Sequence, residues 1–166
     1  FHYKNKDKKY LIQDLTGTLI MKNNMTGCIK KKDTIKGKDG GEIAKFVLAR
    51  QYMRKGDYKK AISTLENADF SDTHLSSMRI GLLADCNSDL KKYPKAYELY
   101  IEAAEINDGN EFTSPMYLFK AAQCAEKLKN FDKAAELYKK IKISYSSYEQ
   151  QNIDKFIAKA SNTKVK

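Results

Sequence analysis

The sequence predicts an all-α fold assembled from stacked two-helix units, and two observations carry that prediction. A short phrase occurs three times, as Gly56-Asp57-Tyr58-Lys59-Lys60-Ala61, Lys91-Lys92-Tyr93-Pro94-Lys95-Ala96 and Lys129-Asn130-Phe131-Asp132-Lys133-Ala134, with its alanines 35 and then 38 residues apart. Each copy continues with a large residue and then a smaller apolar one: Leu65 and Ala68, Tyr100 and Ala103, Tyr138 and Ile141. A period in this range marks helical pairs that cannot bury their apolar faces alone and do so against their neighbours. The second observation is that twelve residues before each repeated alanine stands another, Ala49, Ala84 and Ala122, preceded by Leu48, Leu83 and Ala121. Tyr52, Asn87 and Ala125 follow three places later. Closely packed helices need small residues facing large ones in this way.

Along the chain, residues 1–41 read as a basic, degenerate leading helical pair. Leu11, Ile12, Leu15, Leu19 and Ile20 are spaced for one amphipathic helix, and Cys28, Ile29 and Ile35 for another, with 23–27 as the turn. The β-branched content of Ile12, Thr16, Thr18 and Ile20 leaves a strand as the alternative. Three repeats follow at about 42–75, 77–110 and 115–146. The first helix is expected to start near Glu42, after a flexible 37–41 segment, and to end at Gly56, which tolerates left-handed backbone. Its partner should run from about Lys59 to Asp69. Pro94 suits the first turn of a helix, where a missing N–H costs nothing. Asn107-Asp108-Gly109-Asn110 is a turn, and Ser114-Pro115 reads as N-cap and first helical residue of the third pair. Residues 147–166 form a capping helix and tail, with Ile153, Phe156, Ile157 and Ala160 on one face and Gln150, Asp154, Lys155 and Lys159 on the other.

The chain of 166 residues, 42% apolar and 31% charged, has the composition of an ordinary water-soluble domain. No run approaches the roughly 20 apolar residues that cross a bilayer. Residues 1–60 hold 16 Lys or Arg against 6 Asp or Glu, and residues 61–166 hold 15 of each, so the whole net charge of +10 sits in the N-terminal part. A basic end of this kind suits an anionic membrane surface, nucleic acid or an acidic partner. Cys28, Cys86 and Cys124 form no CxxC, and His2 and His74 stand at no ligand spacing, which argues against a metal site or a disulfide framework. Cys86 and Cys124 occupy equivalent places in successive repeats and read as core positions. There is no phosphate loop, HExxH or GxSxG. Asp85 and Asp89 share a helix face but lack a third ligand, so a solvated groove is preferred over a metal or acid–base pair. Neither an enzyme nor a cofactor is expected.

The first copy, with Leu48, Ala49, Tyr52, Gly56, Tyr58, Ala61, Leu65 and Ala68, resembles the tetratricopeptide repeat. The other copies carry Lys91 and Lys129 at the glycine place. The resemblance implies a right-handed helical solenoid whose ligands lie on the face of each first helix turned away from its partner. Carried onto this sequence, that face holds Ile43, Phe46, Arg50, Met53 and Arg54; then Met78, Asp85, Ser88 and Asp89; then Met116, Phe119, Gln123, Glu126 and Lys127. Phe46, Met78, Met116 and Phe119 would supply apolar contact, and Arg50, Arg54, Asp85 and Glu126 would set orientation. Replacing Phe46 and Phe119 by alanine would then weaken partner capture and leave helicity intact. The basic pattern that grips a chain-terminal carboxylate in some members is not reproduced.

Further residues, 81–85, 95–104, 138–142 and the junction Asn110-Glu111-Phe112-Thr113-Ser114-Pro115, resemble bacterial membrane-anchored tetratricopeptide proteins similar to the ancillary subunit of the Sec translocon. That resemblance implies a soluble periplasmic domain tethered to the inner membrane by a segment outside this chain, the alternative being a cytoplasmic protein. The expected function is a non-catalytic interaction domain that holds a peptide or protein partner in a concave groove. The rival is a structural scaffold set on anionic lipid by its basic N-terminal half. Nucleic acid is disfavoured, since the basic segment lacks a motif and has little aromatic interleaving.

Overall fold

The computed structural model describes residues 3–4, 10–13, 19–21, 38–148 and 153–163. The chain divides into two compact units, 1–69 and 70–166. The first contains three short strands, β1 (Tyr3–Lys4), β2 (Tyr10–Gln13) and β3 (Leu19–Met21), and two helices, α1 (Lys38–Arg54) and α2 (Tyr58–Glu66). The second contains α3 (Thr73–Asp89), α4 (Tyr93–Ile106), α5 (Thr113–Lys127), α6 (Phe131–Ser144) and α7 (Ile153–Asn162). The repeat region is all-α, as its period predicts.

The first helix of the expected leading pair is corrected by the structure. β1, β2 and β3 form an antiparallel sheet in that order, with Tyr3 opposite Leu11, Ile12 opposite Ile20 and Gln13 opposite Leu19. The apolar residues come as adjacent pairs, Leu11-Ile12 and Leu19-Ile20, and pairs of β-branched and large residues suit a pleated ladder better than a single helical stripe. The second leading helix, through Cys28, Ile29 and Ile35, lies outside the described residues. The first repeat helix starts at Lys38 and takes in Gly40 and Gly41 of the segment expected to be flexible. Glu42 helps to seat it, since its carboxylate accepts the Asp69 N–H at 2.8 Å and the Lys45 ammonium at 2.9 Å.

Each first helix ends in the same way. Gly56, Lys91 and Lys129 hold φ of +76°, +59° and +60°. At each site the N–H of the following residue reaches back five places, Asp57 to Tyr52 O at 2.9 Å, Lys92 to Asn87 O at 2.8 Å and Asn130 to Ala125 O at 2.9 Å. The left-handed residue itself donates three places back, to Met53, Ser88 and Glu126. These are Schellman caps. The chain then re-enters a helix whose start is capped by the Asp57 side chain on Lys60 N in the first copy and by the Asn130 side chain on Lys133 N in the third. In the second copy no side chain caps the start, and Pro94 removes one of the orphan donors instead.

Within the second unit α3 pairs with α4, α4 with α5, α5 with α6, and α6 with α7. The six repeated alanines are the packing frame: Ala49, Ala61, Ala84, Ala96, Ala122 and Ala134 are all 0% exposed. Larger residues fill around them, with Leu65, Leu118, Tyr138 and Ile141 among the most deeply buried. Two buried hydroxyls tie helices together. Ser77 Oγ donates to Ala103 O at 2.6 Å, and Ser114 Oγ donates to Asn107 O at 2.5 Å. Ser114 is therefore inside the first turn of α5 and faces back to α4. The cap expected from it comes from Asn110, whose Oδ1 accepts the Phe112 and Thr113 N–H groups at 3.0 and 2.7 Å.

Candidate interaction surface

The inner face of the second unit is built from α3 and α5, with α7 against its far end. It carries a cleft of about 590 Å³ lined by Ser88 and Asp89 of α3, Lys120, Gln123, Cys124, Glu126 and Lys127 of α5, Tyr93 and Tyr100 of α4, Lys91, and Phe156 and Lys159 of α7. Five residues expected on the ligand face, Ser88, Asp89, Gln123, Glu126 and Lys127, converge here. Met78 and Met116 are half-buried on the same helices and do not line the cleft. On α1, in the first unit, Arg50 and Arg54 are exposed, Ile43 and Met53 are half-buried, and Phe46 is buried.

Two expected roles change once the side chains are placed. Phe119 is 6% exposed. Its ring meets Phe156 edge-on at 5.0 Å between centroids and Tyr138 at 5.3 Å, because α7 lies over it. Together with the burial of Phe46, this turns the expected apolar grips into core. Asp85 is the second case, since its Oδ1 accepts the Tyr100 hydroxyl at 2.6 Å and the Lys120 ammonium at 2.7 Å. Lys120 also stands 5.6 Å from the centre of the Tyr100 ring. The carboxylate is consumed by an internal network that joins α3, α4 and α5. Tyr100 and Lys120 were not picked out from the sequence as surface residues; the tyrosine was visible only as a repeat core position.

Glu126 is likewise shared. It accepts the Lys159 ammonium at 2.9 Å and the Tyr138 hydroxyl at 3.3 Å. With Asp85 and Glu126 each ion-paired, the exposed charges at the rim are Asp89, Lys91 and Lys127, together with the Lys159 that pairs with Glu126. The groups with reactive potential are held neutral. Burial, followed by the charges of Asp85 and Asp89, pushes the Cys86 thiol up to about 12. Burial and Asp85 raise the Tyr100 phenol far above its usual range and Tyr117 to about 12. Burial also raises the Cys124 thiol. A neutral thiol is a poor nucleophile and a poor metal ligand. Among the described residues no group of three or more His, Cys, Asp or Glu converges to hold a metal ion.

Comparison with solved structures agrees with this architecture. PcrH bound to the chaperone-binding region of PopB superposes with a TM-score of 0.54 at 19% identity, over 72% of this chain and 91% of that one. MamA gives 0.58 at 19% identity, over 82% and 84%. BtubC from P. vanneervenii gives 0.53 at 18% identity, over 84% and 62%. The fold is tetratricopeptide-like. No family model and no curated protein matches the sequence. What this tetratricopeptide-like array retains is a packing frame of small residues, with the repeated alanines fully buried.

Proposed function

We propose that the protein is a non-catalytic interaction domain that holds a segment of a partner polypeptide in the cleft formed by α3, α5 and α7. The observation that carries this reading is the cleft itself, open and mixed in polarity, with the buried Tyr100 and Cys124 at its base and the exposed Asp89, Lys91, Gln123, Lys127 and Lys159 among its lining. The structures of PcrH with PopB and PopD segments support it by analogy of fold, since each is a helical-repeat protein with a polypeptide bound. A photo-crosslinking residue at Gln123 should trap a polypeptide adduct, and the same residue at Glu102 on the outer face of α4 should not. Equal yields at the two positions would sink the proposal.

We further propose that this domain is the soluble, periplasmic part of a membrane-tethered bacterial envelope protein. The support for this is the resemblance of residues 110–115 and the neighbouring repeat segments to that group. Fractionation of the native protein tests it: recovery in the cytoplasm would count against it. The excess of 16 basic over 6 acidic residues in 1–60 supports a second reading, direct attachment to anionic lipid. Sedimentation with phosphatidylserine vesicles should then fall as salt rises, because screening weakens lysine contacts. Salt-independent sedimentation, or none, would reject it.

A further inference from the structure

α7 differs from the other helices of its unit in how little holds it. Only Ala160 is buried among its ten residues. Its apolar hold centres on Phe156, whose ring enters a notch between Phe119, at 5.0 Å, and Tyr138, at 5.4 Å, with Ile153 and Ile157 half-buried beside it. Its polar holds are two lysine pairs, the exposed Lys159 to the half-buried Glu126 at 2.9 Å and the exposed Lys142 to the exposed Asp154 at 2.6 Å. The Lys142–Asp154 pair, exposed on both sides, contributes little, and a helix of ten residues has no stability of its own in water. Phe156 and Lys159 also line the cleft.

We propose that α7 is a displaceable occupant of the inner face, and that the partner is an amphipathic helical segment bearing an aromatic residue followed three places later by a cation. The bound helix displays the chemistry that the surface accepts. Phe156 fills the aromatic notch, Lys159 one turn on meets the half-buried Glu126, and Ala160 keeps the backbone close. A partner with that spacing makes the same contacts in trans and leaves the cleft wall with a different helix. The proposal rests on the inner face being a binding surface. It adds that the surface is competed for in cis, so that affinity is tuned by how often α7 is undocked. If about one molecule in a hundred is undocked, a partner binds roughly a hundredfold more weakly than to a free surface.

A fluorescein-labelled peptide of residues 149–166 of this chain serves as the probe, with fluorescence anisotropy as the readout. The full chain carrying Phe156→Ala and Lys159→Ala should bind it at least about tenfold tighter than the wild type, because the cis competitor is weakened. Adding Glu126→Lys should reverse that gain, and a peptide with Lys159→Glu should restore it. Equal affinity for wild type and variant, or no binding to either, overturns the proposal. Should the variant lose helicity, hydrogen exchange on the wild type decides. Amides of 156–162 should exchange at least about a hundredfold faster than those of 117–127, and equal protection overturns the proposal. Failure of the peptide with successful crosslinking at Gln123 removes only the displacement. Success of the peptide with failed crosslinking removes the cleft reading and leaves the notch.

Discussion

The ring of Tyr117 lies against the backbone of Gly81, so close that a methyl group on Gly81 would stand 2.5 Å from the phenol oxygen and nearer still to two ring carbons. Tyr117 is 5% exposed and stacks at 6.4 Å on Tyr100, so the ring has nowhere to retreat. Glycine inside a helix ordinarily costs about 1 kcal/mol relative to alanine. Here the overpacking cost of about 1–3 kcal/mol opposes and exceeds that gain. Gly81→Ala should therefore destabilise the second unit by up to about 2 kcal/mol, read as a lower urea midpoint. A rise in the midpoint would show that α3 and α5 adjust freely.

Lys91 and Lys129 stand in left-handed backbone that costs a side-chain-bearing residue about 1–2 kcal/mol, and both are exposed. Lys91→Gly and Lys129→Gly should each raise stability by roughly 0.5–1 kcal/mol after the greater chain entropy of glycine is deducted. Gly56→Ala should act in the opposite direction. Thermal melts of the three variants check the signs together.

Alkaline pH should unfold the second unit before it unfolds a protein without buried phenols. In the folded chain burial holds Tyr117 near 12 and Cys86 near 12, and raises Tyr100 further, against ordinary values of 10.0 and 9.0. The neutral forms are favoured in the fold, so their stabilisation is complete below about pH 9. It declines as pH rises through the range where the unfolded groups ionise and the folded ones do not. Urea midpoints measured from pH 7 to 11 should fall above about pH 9, and Tyr117→Phe should make the fall shallower. A midpoint flat to pH 11 would contradict the placement of these side chains.

Phe119→Ala should cost about 3–5 kcal/mol, as expected for a large buried aromatic, with loss of the Phe156 and Tyr138 contacts. This departs from the sequence-based expectation of intact helicity with weakened capture. Gln123→Ala, at an exposed rim position, should leave stability within about 0.5 kcal/mol of wild type. Chemical denaturation of the two variants separates core from surface.

Much of the fold was legible because the repeated alanines are enforced by close approach of neighbouring helices, and close approach constrains residue size at fixed spacing. Ala49, Ala84 and Ala122 could be read twelve residues ahead of Ala61, Ala96 and Ala134 without any coordinates. The N-terminal strands were not legible, because Leu11, Ile12, Leu19 and Ile20 satisfy a helical spacing and a ladder equally well. Which one forms depends on a backbone partner such as Tyr3, and periodicity does not report partners.

The candidate surface was legible only as a helix face. The resemblance to the tetratricopeptide repeat implied that Ser88, Asp89, Gln123, Glu126 and Lys127 share the ligand face, and helical pitch then set which residues of each helix fall on it. By itself the sequence determined the repeat, the small-residue frame and the sites of the helix ends, all of which depend on neighbours in the chain. The tertiary structure decided which members of that face remain for a partner. Asp85 was taken up by Lys120 and Tyr100, Glu126 by Lys159, and Phe119 by a helix more than thirty residues away, since burial and charge pairing are set by whatever arrives from elsewhere in the chain.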